Sequence, residues 1–280
     1  NLCQDGENYI LVDGEEAPHR YVKHKNFIDK AMFLCTQARP RWDHNTNSMW
    51  DSKLGIWPIG KYTLAQRRSV NRPVGTKEWV NETVDHESYR DMLVNNVLTS
   101  IMNKWPVGQF NDPSFVIKVQ QDGAGGHCSH NDEYHTDTLE ELGLTGKVLF
   151  YTQPPNSLDL NILDLGLFNA LQTAYYDTAP SNSVQLIEMV EKTYDEFPTN
   201  KINRLFVTLQ TIFNCIIEAY GGNDYKIPHI NKQLLEKENR MPIAVEVTDD
   251  AAVYLVPVLA SWSGRGESAT VVRNSRLELS

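Results

Sequence analysis

The sequence predicts an α/β fold with a mixed sheet flanked by helices, a helical C-terminal layer and an inserted basic loop arm. Two strand-like runs, residues 115–121 and 147–152, are separated by a polar segment with helical character at 132–142. From residue 160 onward, apolar side chains recur at helical spacing. A strand-rich half followed by a helical half is typical of a domain whose helices pack on a sheet.

The N-terminal part supplies the first predicted strands, at residues 9–12 and 30–36. The second has the compact apolar run of a strand that is covered on both faces. We expect the two to pair as a hairpin or meander. Asp5 and Asp13 are each followed by glycine and are predicted to be turn residues.

An aromatic, Gly- and Pro-punctuated segment follows at residues 39–80 and is predicted to be an extended loop arm. No acidic residue occurs between positions 61 and 77, whereas five basic residues do: Lys61, Arg67, Arg68, Arg72 and Lys77. Isolated positive charge in an acidic protein favours contact with DNA phosphates. A solvated loop explains the same pattern equally well.

Residues 87–105 have the apolar spacing of an amphipathic helix, and Pro106 predicts where it stops. The strand that follows ends at Asp122. A strand, a helix and a second strand in this length form a βαβ crossover, which makes the two strands parallel. Their carboxyl ends then lie on the same edge of the sheet, where ligands bind in open α/β sheets.

The second strand leaves through Pro154 and Pro155, and a helix is predicted to start near position 156 or 157 with Asp159 in its first turn. Two carboxylates on neighbouring strand ends could share divalent ions. The pattern alone is equally typical of capping residues. Asp164 lies about 140° from Asp159 on a continuous helix and is predicted not to join the site. A lone His127 is more typical of a structural hydrogen bond than of a magnesium ligand.

Further helices are predicted at residues 160–176, 184–197, 202–220 and 229–239, the third capped by Gly221 and Gly222. Residues 263–280 are rich in Gly, Ser and Arg without periodicity. We therefore predict one domain over residues 1–242 and a C-terminal tail over 243–280 that is partly disordered or unrelated.

The composition limits the classes of function. A net charge of −10 argues against nonspecific DNA binding over the whole surface, so DNA contact must be local. The four cysteines are scattered and predict reduced thiols rather than a zinc site or disulfides. The sequence has no apolar run of about 20 residues, so we expect a soluble intracellular protein without membrane contact.

Several short motifs resemble those of mariner-like DDE transposases, especially the plant and oomycete branch. The second and third acidic motifs of that family resemble the segments around Asp122 and Asp159. The similarity extends in order over residues 8–242. The motifs that carry it are Ala38-Arg39-Pro40-Arg41-Trp42-Asp43, Gly55-Ile56-Trp57-Pro58, Asn71-Arg72-Pro73-Val74-Gly75-Thr76, Gln120-Gln121-Asp122-Gly123-Ala124, Gln153-Pro154-Pro155-Asn156-Ser157-Leu158-Asp159-Leu160-Asn161 and Tyr225-Lys226-Ile227-Pro228-His229.

This resemblance implies an RNase H-like catalytic domain for cut-and-paste DNA transposition, with Asp122 and Asp159 as catalytic residues and ligands of Mg²⁺, or of Mn²⁺ in its place. It also implies double-stranded DNA as a partner, a homodimer and a nuclear location. In the family, the first catalytic aspartate lies in an Asp-Glu-Lys-Trp-Phe motif. That motif would precede Asn1, so we expect the chain as given to lack this ligand and to be inactive.

Two alternatives remain open. The chain could be a transposon-derived, non-catalytic remnant that acts only in protein or DNA association. It could also be an RNase H-like nuclease outside the transposases, although the motifs at 38–43 and 225–229 argue against this.

Overall fold

The computed structural model describes residues 30–70, 72–106, 112, 115–122, 133–154, 157–178, 180–246 and 268–278. The predicted strand at 9–12, its pairing, Asp5, Asp13 and His127 lie outside these residues. The strands are β1 (Lys30–Gln37), β2 (Arg41–Asp43), β3 (Ser48–Trp50), β4 (Lys53–Pro58), β5 (Gly60–Leu64), β6 (Lys77–Asn81), β7 (Ile117–Gln121), β8 (Val148–Thr152) and β9 (Ser268–Glu278). The α-helices are α1 (His86–Met92), α2 (Thr99–Lys104), α3 (Glu133–Glu141), α4 (Phe168–Thr178), α5 (Ser183–Glu196), α6 (Thr199–Glu218) and α7 (Lys232–Lys237).

The main sheet has five strands in the order β4-β1-β9-β7-β8. β7 and β8 are parallel, with Ile117 opposite Val148 and Gln121 opposite Thr152. This confirms the predicted crossover, in which α3 connects the two strands. β1 and β4 are antiparallel, so the sheet is mixed.

The central strand was not predicted. All of β1 pairs antiparallel with β9, from Lys30 opposite Glu278 to Gln37 opposite Val271, and β9 is parallel to β7. The sequence predicts a partly disordered or unrelated tail over 243–280, and for residues 268–278 that prediction is wrong. Serines and arginines interrupt the apolar pattern of this segment. Its partner β1 lies more than two hundred positions earlier in the chain, so no local sequence pattern indicates that the two strands pair.

The predicted loop arm is also largely folded. β2 and β3 form one small antiparallel pair, and β5 and β6 form another. Between these pairs, β4 belongs to the main sheet, with Ile56 opposite Cys35 of β1. The prediction of a continuous loop over 39–80 is therefore wrong, and the inserted basic arm is the β5–β6 hairpin.

Helices cover both faces of the main sheet. On one face, Phe33 of β1 and Ile56 of β4 pack against α4, α5 and α6 in a cluster that includes Leu171, Val190 and Ile212. On the other face, Leu34, Ile117 and Val148 pack against the helical segment 86–104. Alternating residues of one strand thus enter opposite cores. The result is a three-layer α/β arrangement.

The helical segment 86–104 begins at a capping box in which Asp85 and Ser88 bond to each other's backbone amides. A π-helical stretch, Leu93–Leu98, separates α1 from α2. The segment stops at Trp105, before Pro106, as predicted.

Trp105 is the largest fully enclosed side chain of this layer. It is 2% exposed, its ring lies 5.0 Å from that of Trp50, and the Arg41 guanidinium lies 4.7 Å above it. We expect Trp105→Ala to lower the free energy of unfolding by about 3–5 kcal/mol through the cavity that it leaves. Denaturant unfolding followed by circular dichroism measures this. The control is Trp42→Ala, since Trp42 is 47% exposed and should change stability by no more than about 0.5 kcal/mol.

The C-terminal helices follow the predicted order with one difference. The predicted helix at 160–176 is interrupted: a 3₁₀ turn at Leu158–Leu160 is followed by a π-helical stretch, Leu163–Leu167, and then by α4. Gly166 has φ 172 and ψ −23, which breaks the regular helix. α6 ends before Gly221, whose φ of 84 and bond to the Ile216 carbonyl form the predicted cap. Among the described residues, no helix combines the length and the hydrophobicity that a membrane span requires.

Candidate functional site

Asp122 directly follows β7 at the carboxyl edge of the parallel pair. Backbone pairing continues past the strand ends, because the backbone N–H of Gln153 donates to the backbone carbonyl of Gln121 at 2.7 Å. Gln121 itself is buried, and its side-chain oxygen accepts a bond from the Tyr89 hydroxyl at 2.8 Å. Asp122 is therefore held at a rigid strand end and is partly exposed.

Asp159 lies in the 3₁₀ turn at Leu158–Leu160. The side-chain amide nitrogen of Gln120 (Nε2) donates to the Leu160 backbone carbonyl at 3.0 Å, which joins this turn to the carboxyl end of β7. The structure therefore brings the two predicted aspartates to the same edge of the sheet.

Side chains from three segments hold the turn that carries Asp159. The Gln153 side-chain amide donates to the Ser157 carbonyl before the turn. The Leu163 amide donates to the Asn161 side-chain oxygen at 3.0 Å after it. The Tyr225 hydroxyl donates to Asp159 Oδ2 itself. Burial, followed by the bond to Asp159, raises the pKa of Tyr225.

Three buried amide groups near this edge have atoms without a hydrogen-bond partner among the described residues: Gln121 Nε2, Gln153 Oε1 and Asn161 Nδ2. Buried polar groups without a partner are uncommon and costly. Gln153 Oε1 is an acceptor oxygen, the kind of group that a magnesium ion or one of its bound waters contacts.

The donor set fits a hard divalent cation in part. Two carboxylates and an amide oxygen at one edge are oxygen ligands of the kind that Mg²⁺ and Mn²⁺ accept. Within the described ranges, no group of three or more His, Cys, Asp or Glu side chains is placed to hold a metal ion. The described residues thus supply two acids for such a site.

Asp164 does not lie on a continuous helix with Asp159, because Asn161 is extended and the π-helical stretch begins only at Leu163. The rotation of about 140° between Asp159 and Asp164 was calculated for a continuous helix, so it does not apply to this backbone and gives no reason to exclude Asp164 from the site. The break at 161 is the reason that sequence periodicity could not place Asp164.

The basic arm is a hairpin in which three of the five predicted basic residues already have partners. Lys61 forms an ion pair with Glu82 at 2.8 Å, and Arg72 forms one with Glu78. The Lys77 ammonium lies 3.6 Å from the centre of the Tyr62 ring. Both glutamates come after residues 61–77, the segment without acidic residues, and the pairing of β5 with β6 places them beside its basic side chains.

Arg67 and Arg68 differ from these three residues. Both are exposed, and in the described part of the chain neither forms an ion pair. They lie just beyond β5, at the end of the hairpin where the chain connects β5 to β6. The positive charge available for a partner is therefore concentrated at this end.

Sequence reasoning did not single out Tyr225, Gln120 or Gln153 as site residues. Each lies inside a motif that carries the family resemblance, which was the signal available. Their side-chain contacts depend on the tertiary fold.

Comparison of the chain with family models, curated proteins and solved structures found no match.

Proposed function

We propose that this chain is the catalytic domain of a mariner-like DDE transposase and acts in metal-dependent cleavage and joining of DNA. The observation that supports the proposal most is the placement of Asp122 and Asp159. A parallel crossover and the Gln120–Leu160 bond bring both acids to one sheet edge. The sequence segments around Asp122 and Asp159 resemble the acidic motifs of that family.

In this proposal Asp122 and Asp159 bind Mg²⁺, or Mn²⁺ in its place. Such ions activate the attacking oxygen and stabilise the leaving oxygen of an in-line displacement. The two carboxylates would hold these ions in place, and the bound ions would in turn neutralise and orient the phosphodiester, first for attack by water and then for attack of the freed 3′-hydroxyl on target DNA. The strand end and the turn of residues 158–160 hold the backbone of both aspartates in place before substrate binds, which reduces the reorganisation that the reaction requires.

The proposed partner is double-stranded DNA, and its contact must be local in a chain of net charge −10. Arg67 and Arg68 are the arm residues that are exposed and unpaired with acids in the described parts of the chain. A homodimer and a nuclear location follow from the family resemblance and belong to the same proposal.

We expect the double variant Arg67→Ala/Arg68→Ala to weaken binding to duplex DNA and to reduce the slope of log K against log salt concentration by about two. Fluorescence anisotropy at several salt concentrations measures both quantities. Lys61→Ala/Arg72→Ala removes the same charge from residues that are already paired with glutamates. This control should change the slope less. Equal effects of the two double variants would show that the end of the arm has no special role.

A non-catalytic role in protein or DNA association is the second candidate. The described residues place two acids at this edge, whereas the resembled enzymes use three. Binding of Mn²⁺, followed by water-proton relaxation, tests the catalytic proposal: it predicts binding that depends on Asp122 and Asp159. DNA binding without such metal binding would support the second candidate.

A further inference from the structure

Tyr225 reaches the candidate site from a distant part of the chain. It lies in the segment between α6 and α7, and its ring packs against the core cluster formed by the C-terminal helices. Its hydroxyl donates a hydrogen bond to Asp159 Oδ2. The contact spans 66 positions of sequence, so the tertiary fold creates it.

A carboxylate has two oxygens and about four lone-pair positions. The Tyr225 hydroxyl takes one position on Oδ2, which fixes the rotation of the Asp159 carboxylate and leaves Oδ1 available to a cation. Partners of this kind orient metal ligands in many sites, and their loss typically weakens metal binding by about 10–100-fold.

We propose that Tyr225 is a positioning residue that orients the Asp159 carboxylate for divalent-cation binding, an inference that rests on the proposed metal site. Tyr225 does not touch the cation or the substrate in this scheme and acts through Asp159. Because the phenol is neutral, it orders the carboxylate without neutralising the charge that attracts the cation.

The alternative is that the bond only fastens the segment between α6 and α7 to the sheet edge. In that case Tyr225→Phe would lower stability without any specific effect on metal binding. Tyr225→Phe removes one hydrogen bond to a charged group, at a partly buried position, so the phenylalanine variant should remain folded. The ring is retained, and with it the packing against the helical cluster.

The test uses the whole 280-residue chain with ¹³C-labelled tyrosine ring carbons at one pH. Comparison with Tyr225→Phe identifies the Tyr225 resonance among the 12 tyrosines. We expect this resonance to shift in Asp159→Asn and to be broadened by low concentrations of Mn²⁺. We also expect Tyr225→Phe to bind Mn²⁺ about 10–100-fold more weakly, as measured from the free Mn²⁺ signal by electron paramagnetic resonance.

Tyr176→Phe is the matched control, since Tyr176 contacts the neighbouring Tyr175 ring at 5.5 Å and its hydroxyl loss should leave Mn²⁺ affinity unchanged. If the chemical shift of the Tyr225 resonance is the same in Asp159→Asn as in the unaltered chain, the contact and the inference are both overturned. Normal Mn²⁺ affinity in Tyr225→Phe would overturn the inference alone. If the unaltered chain shows no Mn²⁺ broadening while the resonance still responds to Asp159→Asn, the proposed metal site fails and the positioning role fails with it.

Discussion

Asp122→Asn and Asp159→Asn should each weaken Mn²⁺ binding by at least about 100-fold, more than the loss of an orienting neighbour does. Asparagine keeps the shape of the side chain but removes the charge and one strong oxygen ligand. At position 159 the remaining oxygen can still accept the Tyr225 hydroxyl bond, so the turn at 158–160 should keep its structure. Water-proton relaxation or electron paramagnetic resonance measures the affinity.

The control for these variants is Asp177→Asn, which makes the same change at an exposed position of α4. It should leave Mn²⁺ affinity unchanged, and all three variants should unfold at denaturant concentrations close to that of the unaltered chain. Retention of full affinity in either site variant would remove that aspartate from the proposed site. An equal loss in Asp177→Asn would indicate only a general effect of surface charge.

Val271→Pro should destabilise the chain by about 3 kcal/mol or more, because proline removes a ladder hydrogen bond in the middle of a sheet. Val271 lies opposite Gln37 of β1 on one side and is registered with Gln120 of β7 on the other. The carbonyl on the neighbouring strand then loses its hydrogen-bond donor inside a sheet that helices cover on both faces, which adds to the cost. Denaturant unfolding measures the change, and unfolding in buffer is the expected extreme.

Val74→Pro makes the same substitution where proline is compatible. The Thr76 amide donates to the Pro73 carbonyl at 3.4 Å, and Gly75 has φ 83, as in a type II turn with Val74 at its second position. Proline is favoured there, so stability should be unchanged or slightly increased. If Val271→Pro proves as mild as Val74→Pro, β9 does not hold the centre of the sheet.

The parallel crossover could be predicted from the sequence because its signals are local. The strand runs that end at Gln121 and Thr152 are apolar and short, and a polar helix separates them. The helix carries the chain back along the sheet between the two strands, so they run parallel. The edge that carries Asp122 and Asp159 therefore follows from about forty consecutive residues.

The centre of the sheet could not be predicted in the same way. β9 is mostly polar, and its neighbours β1 and β7 are far away in sequence. Periodicity identifies a strand by its two faces but does not identify its partners. The ion pairs of the arm, Lys61 with Glu82 and Arg72 with Glu78, were missed because the glutamates return through hairpin pairing.

Local backbone breaks also limited the prediction of the site. The helix expected to carry both Asp159 and Asp164 is interrupted after Leu160, so a rotation calculated for one continuous helix could not place Asp164. The Tyr225–Asp159 bond requires the packed C-terminal helices before the two residues can meet.

In the proposed site, Asp122 and Asp159 hold a divalent metal at the carboxyl edge of β7 and β8. A crystal of the chain grown with Mn²⁺ and measured at a wavelength that gives manganese anomalous signal tests this placement. We expect an anomalous peak within coordination distance of both carboxylates, about 2 Å from their oxygens. A peak elsewhere, or carboxylates separated by more than about 8 Å, twice the distance between the ions of a two-metal site, would contradict it.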